Sequence, residues 1–168
     1  DSDSAALRQR AALTARDGRL SPEALAKAVL AETDTNVAGT LVWALASAAD
    51  PAAEAALGSG LDSADPEIRR RAVSAISKLS TDTADELLRR VLDDSDRAVA
   101  DAATLILGSR GHADMIPRLI GMVIDGNHDV DAADTIRDLA HAAATADDIA
   151  AELGRLLDSD NLDSRARS

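Results

Sequence analysis

The chain has 168 residues, of which 46% are apolar, and a formal net charge of −12. Trp43 is the only aromatic residue, so Leu, Ile, Val and Ala must supply the core, a composition that favours helices over sheets. The absence of cysteine excludes disulfides, thiolate metal sites and cysteine nucleophiles, and the negative charge disfavours nucleic-acid binding. No apolar run approaches the roughly 20 residues that cross a bilayer, and no signal peptide is visible, so we expect a cytoplasmic protein.

Acid-rich segments recur along the chain at a nearly constant spacing. They begin at Leu30, Leu61, Leu92, Ile124 and Leu157. Each is followed by an amphipathic segment, and most of them by a polar turn and a second amphipathic segment, so each complete unit predicts a pair of helices. The first 29 residues precede these units and predict a less regular pair over about 4–16 and 21–31. The last unit stops within its first helix.

Capping residues and prolines mark the predicted helix starts in the first two units. Asp50–Pro51 starts the second helix of the first unit, and Asp65 with Pro66 starts the first helix of the second unit. Apolar residues at helical spacing then give the faces that we expect to be buried. They are Val37, Leu41, Ala44, Leu45, Ala48, Ala55, Ala56, Leu57, Ile68, Ala72, Ala75, Ile76, Leu79, Leu87, Leu88, Val91 and Leu92.

The third and fourth units follow the same plan. Asp96 caps a helix that Gly108 and Gly111 end, and Thr145 with Asp148 forms a capping-box pattern further on. The residues expected to be buried are Val99, Ala103, Ile106, Leu107, Ile116, Leu119, Ile120, Val123, Val130, Ala133, Ile136, Leu139, Ala140, Ile149, Leu153, Leu156 and Leu157. A pair of about 31 residues cannot bury its apolar face alone, but stacked neighbours bury it for each other. The pattern therefore predicts one all-α domain over 1–168.

The repeated unit L-D-x-x-D-x-x-(I/V)-R-x-x-A resembles the HEAT-like repeat of the phycobilisome-lyase type. LDSADPEIRRRA, which begins at Leu61, matches best, whereas LDDSDRAVADAA has Ala100 where the pattern has Arg. IDGNHDVDAADT also lacks that Arg, and the last unit regains it at Arg165. The resemblance covers residues 30–168 and implies a right-handed α-solenoid of about five helix pairs. It leaves the activity open, because such repeats serve many roles.

Two groups of acidic residues allow a metal-binding interpretation. The Asp residues at the unit starts could form a calcium ladder, but they lack the Gly and the distal Glu of a calcium loop, so we interpret them as helix caps. Asp131, Asp134, Asp138 and His141 share a helix face, which we interpret as a solvated acidic stripe rather than a metal site. We expect no metal and no cofactor.

Basic residues gather at exposed positions of the second helices, which line the concave face in the architecture that the resemblance implies. They form either a groove with Arg anchors for an acidic partner or cations that complement helix C-termini. Trp43 lies beside the apolar stripe of its helix, where it either covers a neighbouring helix or anchors a partner. The candidate partner-binding residues are Glu86, Arg89, Arg90, Arg118, Met122, Arg155 and Trp43.

The sequence favours a non-catalytic, monomeric scaffold that binds a protein or peptide partner, with an acidic partner favoured by the Arg side chains. No phosphate loop or nucleophile elbow is present to support catalysis. Two alternatives stay open. One is a structural or regulatory solenoid segment of a larger multidomain protein, and the other is an accessory or lyase-like modifying enzyme built on the same repeats.

Overall fold

The computed structural model describes residues 21–48, 50–141, 150–151 and 154. Within these residues it has eight α-helices, one 3₁₀ turn and no strand, which confirms the predicted all-α fold class. The helices are α1 (Pro22–Ala31), α2 (Thr35–Ala48), α3 (Pro51–Leu61), α4 (Pro66–Ile76), α5 (Asp82–Arg89), α6 (Arg97–Ser109), α7 (Ile116–Ile124) and α8 (Asp129–His141), with the 3₁₀ turn over Ala113–Met115. The helix predicted over 4–16, the capping box at Thr145 and the final unit lie outside the described residues.

The helices alternate between two classes. We call α2, α4, α6 and α8 the first helices and α1, α3, α5 and α7 the second helices. The first helices begin at Thr35, Pro66, Arg97 and Asp129. These starts lie 31, 31 and 32 residues apart, at the same intervals as the acid-rich segments that precede them. The sequence period is therefore also the period of the helices.

Short polar side chains begin the helices by accepting backbone hydrogen bonds. The Asp50 carboxylate accepts from the Ala52 N–H at 2.8 Å, and the Asp65 carboxylate accepts from the Glu67 N–H at 2.9 Å. Asp96 accepts in the same way from the Val99 N–H at 3.2 Å. Such caps satisfy donors that have no partner inside the helix, which explains why Asp recurs at the unit starts.

The chain divides into two compact units, residues 1–102 and 103–168, and the division falls within α6. In the first compact unit, α1 packs against α2, α3 and α4, and α5 packs against α3 and α4. This packing of each helix against its neighbours is typical of an α-solenoid. The largest fully buried side chains of this compact unit are Val29, Val37, Leu45, Leu57, Val73, Ile76, Leu88 and Val99.

Two glycines let α3 lie close to its neighbours. A Cβ atom at Gly60 would lie 2.7 Å from Leu30 Cδ2 and 3.2 Å from Ala72 Cβ. A Cβ atom at Gly58 would lie 2.9 Å from Leu87 Cδ2. Since ordinary carbon contacts are about 3.5–4.0 Å, these positions have no room for a side chain. The second helices therefore approach each other over small residues.

In the part of the second compact unit that the structure describes lie the C-terminal part of α6, the 3₁₀ turn, α7 and α8, with α7 packed against α8. The buried face of α8 differs from the prediction. Val130, predicted to be buried, is 67% exposed, and Ala133 is also exposed, whereas Ala132 and Leu139 are buried. The Thr135 methyl group lies against Gly108, where a Cβ atom would approach it to 2.7 Å. The prediction was wrong because it treated Thr135 as polar and so placed the apolar face elsewhere on the helix.

The last turn of α7 also differs from the prediction. Met122, predicted to be an exposed binding residue, is only 4% exposed, and Val123, predicted to be buried, is 37% exposed. The buried face runs through Leu119 and Met122, which are three residues apart and so lie on one side of the helix. The long, flexible Met side chain reaches the core from the edge of that face. Met122 is therefore a core residue and is removed from the candidate site.

Leu88→Ala should lower the free energy of unfolding by about 2–5 kcal/mol, because it leaves a cavity in a fully buried position. Urea unfolding followed by circular dichroism measures the change. The matched control is Leu87→Ala on the same helix, where the side chain is only partly buried and the loss should be smaller. Equal losses for the two variants would contradict this assignment of the core.

Gly39→Ala and Gly60→Ala should have different effects on stability. Gly39 lies within α2, and a Cβ atom there would have no neighbour within 4 Å, so the substitution should stabilise the protein by roughly 0.5–1 kcal/mol. Gly60→Ala would crowd Leu30 and Ala72, which offsets the same gain in helix propensity. Thermal unfolding of both variants measures the difference, and an equal gain at Gly60 would refute the close approach of α3 to α1.

Candidate functional site

Arg69 and Asp94 link the first helix of one repeat to the segment that starts the next repeat. Arg69 Nε and Nη2 each donate to an Asp94 carboxylate oxygen at 2.8 Å. Arg69 Nη1 donates to the Ser63 and Ala64 carbonyl oxygens at 2.7 and 3.2 Å. Both ionic side chains are at most 10% exposed. Arg69 is the Arg of the repeat pattern, and its partner could not be identified from the sequence because the two lie 25 residues apart.

This ion pair controls the protonation of Asp94. The hydrogen bonds from Arg69 hold the pKa of the Asp94 carboxyl below its ordinary value, and the Asp96 N–H adds a further donor at 2.8 Å. Desolvation by burial opposes the shift but does not reverse it. The same contact raises the pKa of the Arg69 guanidinium. Asp94 is therefore an ionised group whose oxygens are occupied by donors within the protein.

Several acidic residues accept hydrogen bonds from donors within the protein. On α8, Arg137 donates to Asp134 at 2.7 Å and to Asp138 at 3.4 Å, so the predicted stripe contains its own cation. In the residues that the structure describes, no group of three His, Asp or Glu side chains is arranged to hold a metal ion. The hydrogen bonds accepted by Asp65 and Asp96 support the capping interpretation, and the exposure of Asp131, Asp134 and Asp138 supports the solvated-stripe interpretation.

The structure places Glu86 and Arg89 on α5 and Arg90 directly after it, and all three side chains are exposed. Arg90 Nη2 donates to Asp62 at 2.6 Å in a pair that is largely open to solvent. The Arg90 guanidinium also borders α3, since Nη1 would lie 3.5 Å from a Cβ atom on Gly58.

The remaining residues of the predicted site lie elsewhere. Arg118 is exposed on α7, in the second compact unit, and Arg155 lies outside the described residues. Trp43 lies on α2, a first helix, where it lines a groove that includes none of these arginines. Trp43 and Arg90 therefore border different parts of the first compact unit.

A groove of about 710 Å³ lies between the second helices α1 and α3, and we call it the second-helix groove. It is lined by Glu23, Lys27, Leu30, Ala31, Ala52, Ala55, Ala56, Ser59, Gly60, Ser63 and Ile68. Ala55, predicted to be buried, is exposed, and Ala56 and Ile68 are only partly buried. These three apolar residues form the groove surface rather than the core, because the small side chains of α3 leave the space beside α1 unfilled.

A second groove, of about 720 Å³, lies between the first helices α2 and α4, and we call it the first-helix groove. It is lined by Val29, Glu32, Thr33, Ala38, Gly39, Val42, Trp43, Ala46, Glu67, Arg71, Ser74 and Lys78. Trp43 is 51% exposed, so this large side chain is not a core residue. The two grooves have no lining residue in common. Neither groove was evident in the sequence, because each depends on which residues face each other across two helices.

A family model described as HEAT repeats matches residues 22–104 and 56–140 of the chain. Together these matches span every complete repeat that the structure describes. No curated protein and no solved structure matches the chain significantly. In the described part of the chain, no helix combines the length and the apolar character of a bilayer-spanning segment.

Asp94→Asn should lower the free energy of unfolding at neutral pH. It should also make that free energy decrease less as the pH is lowered. Because the folded-state pKa of Asp94 lies below its unfolded value of about 3.9, the contribution of the carboxylate is fully present above that value. It is lost as the pH falls through the lowered pKa. Urea unfolding between pH 7 and pH 3 measures both effects.

The control for this experiment is Asp93→Asn, a neighbouring substitution at an exposed carboxyl. It removes one negative charge from the same segment but leaves the Arg69 pair in place. Its stability profile should follow that of the wild type more closely than the Asp94→Asn profile does. If Asp94→Asn and the wild type lose stability equally on acidification, Asp94 does not make the proposed contribution.

Proposed function

The chain belongs to the HEAT-repeat family, and from this we propose that it is a non-catalytic scaffold that binds a protein or peptide partner through the exposed face of its second helices. Repeat architectures present extended surfaces to their partners, and binding depends on the shape of those surfaces rather than on reactive groups. The proposal places the scaffold in the cytoplasm as a monomer. Its net charge of −12 opposes nucleic acid as the ligand.

The second-helix groove is the observation that carries the proposal. Its α3 wall exposes Ala52, Ala55 and Ser59, whose short side chains allow another backbone to approach closely. The opposite wall offers Leu30 for apolar contact. An amphipathic helix or an extended segment that inserts apolar side chains fits a groove of this kind.

Charged groups on α1 and next to α3 can orient a partner that lies over these helices. Lys27 and Glu23 form an exposed pair on α1 at 2.8 Å. Arg90 lies next to α3, and its exposed pair with Asp62 contributes only about 0–1 kcal/mol to stability, as is usual for exposed pairs. A carboxylate of the partner can therefore replace Asp62 as the acceptor at little cost. The preferred partner has apolar side chains next to acidic ones.

Blocking the second-helix groove should abolish partner capture without unfolding the protein. The test is a pull-down from the native lysate with the wild-type chain and with the double variant Ala55→Arg, Ser59→Arg as baits. Both positions are exposed on α3, so the long side chains fill the groove from the solvent side. The recovery of the partner should fall roughly tenfold or more, as expected when about 1.4 kcal/mol of binding free energy is lost.

The matched control is Ala98→Arg, an exposed position on α6 that does not line the groove, and it should retain the partner. Arg90→Glu should fold normally and weaken capture. Thermal unfolding of every bait checks the fold. If the groove-blocking variant captures the partner as well as the wild type does, this face is not the binding surface. If no partner is captured by any bait, the structural-segment alternative is favoured instead.

A further inference from the structure

The first-helix groove combines an apolar surface with open space. Val29 is buried at its base, and Ala38, Val42 and Ala46 contribute further apolar side chains from partly buried positions. Above Gly39 a Cβ atom would meet nothing within 4 Å. The groove volume of about 720 Å³ lies within the range of roughly 300–1,000 Å³ found for binding clefts. The groove therefore has room for a large side chain.

Trp43 gives this groove a surface that the rest of the protein lacks. It is the only aromatic residue among the 168, and about half of its side chain is exposed at the groove. The indole offers a broad apolar face, and tryptophan is enriched where proteins bind each other. An apolar side chain of a ligand in the groove would lie against this ring.

The two cations that line the groove have no carboxylate partner in the described residues. In the described residues of the first compact unit, ion pairs are formed by Lys27, Arg69, Arg70, Arg90 and Arg97. Arg71 and Lys78 form none there. Arg71 donates to the Leu30 carbonyl at 3.1 Å, and Lys78 is exposed. Both line the first-helix groove, on one side of α4 and just beyond its end.

The two carboxylates of the groove already have donors. Glu67 pairs with Arg70 at 2.7 Å. Glu32 Oε1 accepts from the Thr33 and Asp34 N–H groups at 2.9 Å each. An acidic ligand would therefore meet two cations without carboxylate partners, whereas a basic ligand would add charge to the same cations. Charge complementarity with Arg71 and Lys78 therefore favours an acidic ligand over a basic one.

We propose that the first-helix groove is a second docking site, and that its occupant is a segment of another protein in which a large apolar side chain is flanked by carboxylates. The apolar side chain lies against Trp43 in the space above Gly39, and the carboxylates bind Arg71 and Lys78. This site is separate from the second-helix groove, since no residue lines both. This proposal can therefore be confirmed or refuted without any change to the proposed function.

The test uses the fluorescence of Trp43, which is the only tryptophan and so reports on this groove alone. The probe is a Trp-free, 12-residue acetylated peptide with two Leu–Phe pairs, each flanked by Glu. The matched control peptide has Lys in place of every Glu. Titration of the full chain with the Glu peptide should shift the emission of Trp43 to shorter wavelength and saturate, and the Lys peptide should bind at least roughly tenfold more weakly, a difference of about 1.4 kcal/mol.

Three variants locate the binding. Lys78→Glu should weaken the Glu peptide roughly tenfold, and Gly39→Gln should do the same by filling the space beside Trp43. Lys27→Glu makes the same charge change in the second-helix groove and should leave the titration unchanged. All three positions are exposed, so the fold should be retained.

Several outcomes would overturn the inference. They are a titration with no saturable change, equal affinity for the Glu and Lys peptides, and loss of binding in Lys27→Glu but not in Lys78→Glu. A fourth is a shift of the Trp43 emission with protein concentration alone, accompanied by dimers in sedimentation equilibrium. That result would assign the groove to a second copy of the chain. None of these results depends on the pull-down that tests the second-helix groove.

Discussion

A pair of short helices built mainly from Ala, Leu and Val cannot bury its apolar face without a neighbour, and the rest of the structure depends on this constraint. In the first compact unit, α3 meets the constraint by packing against α1, α4 and α5, and Gly58 and Gly60 allow the close approach. The small side chains of Ala55 and Ala56 on the same helix leave space at the surface. The second-helix groove is thus a consequence of the way in which the second helices stack, so the proposed binding surface and the packing of the helices depend on the same feature of the sequence.

An ion pair adds a connection between successive repeats that the apolar contacts alone do not provide. The Arg69–Asp94 pair joins the second repeat to the start of the third, and it also supplies donors to the carbonyl oxygens of Ser63 and Ala64. Ala100, which occupies the corresponding position of the third repeat, cannot form such a pair. Charge in this protein therefore has different roles at different sites. Asp94 is held by Arg69, whereas Arg71 and Lys78 have no carboxylate partner in the described residues and are the cations of the proposed docking site.

The helix positions could be predicted from the sequence because the signals are local. Two adjacent residues, Asp65 and Pro66, are enough to mark a helix start. Similar signals recur along the chain with a period of about 31 residues. The face of α8 was predicted wrongly, because the methyl group of Thr135 packs like an apolar side chain against Gly108. The grooves could not be predicted, since each requires knowing which residues of two helices face each other. The Arg69–Asp94 pair could not be predicted for the same reason. The Arg in the repeat pattern was nevertheless a signal that this position has a structural role.

The central claim is that neighbouring helices bury each other, and hydrogen exchange of Leu57→Ala tests it most directly. Leu57 is fully buried on α3, which packs against both α1 and α4. If stability is shared between neighbours, the substitution should reduce the protection of backbone amides in α1 and α4 as well as in α3, relative to the wild type. Loss of protection confined to α3 would contradict the account, because each helix would then be stable without the neighbour that is held to bury it.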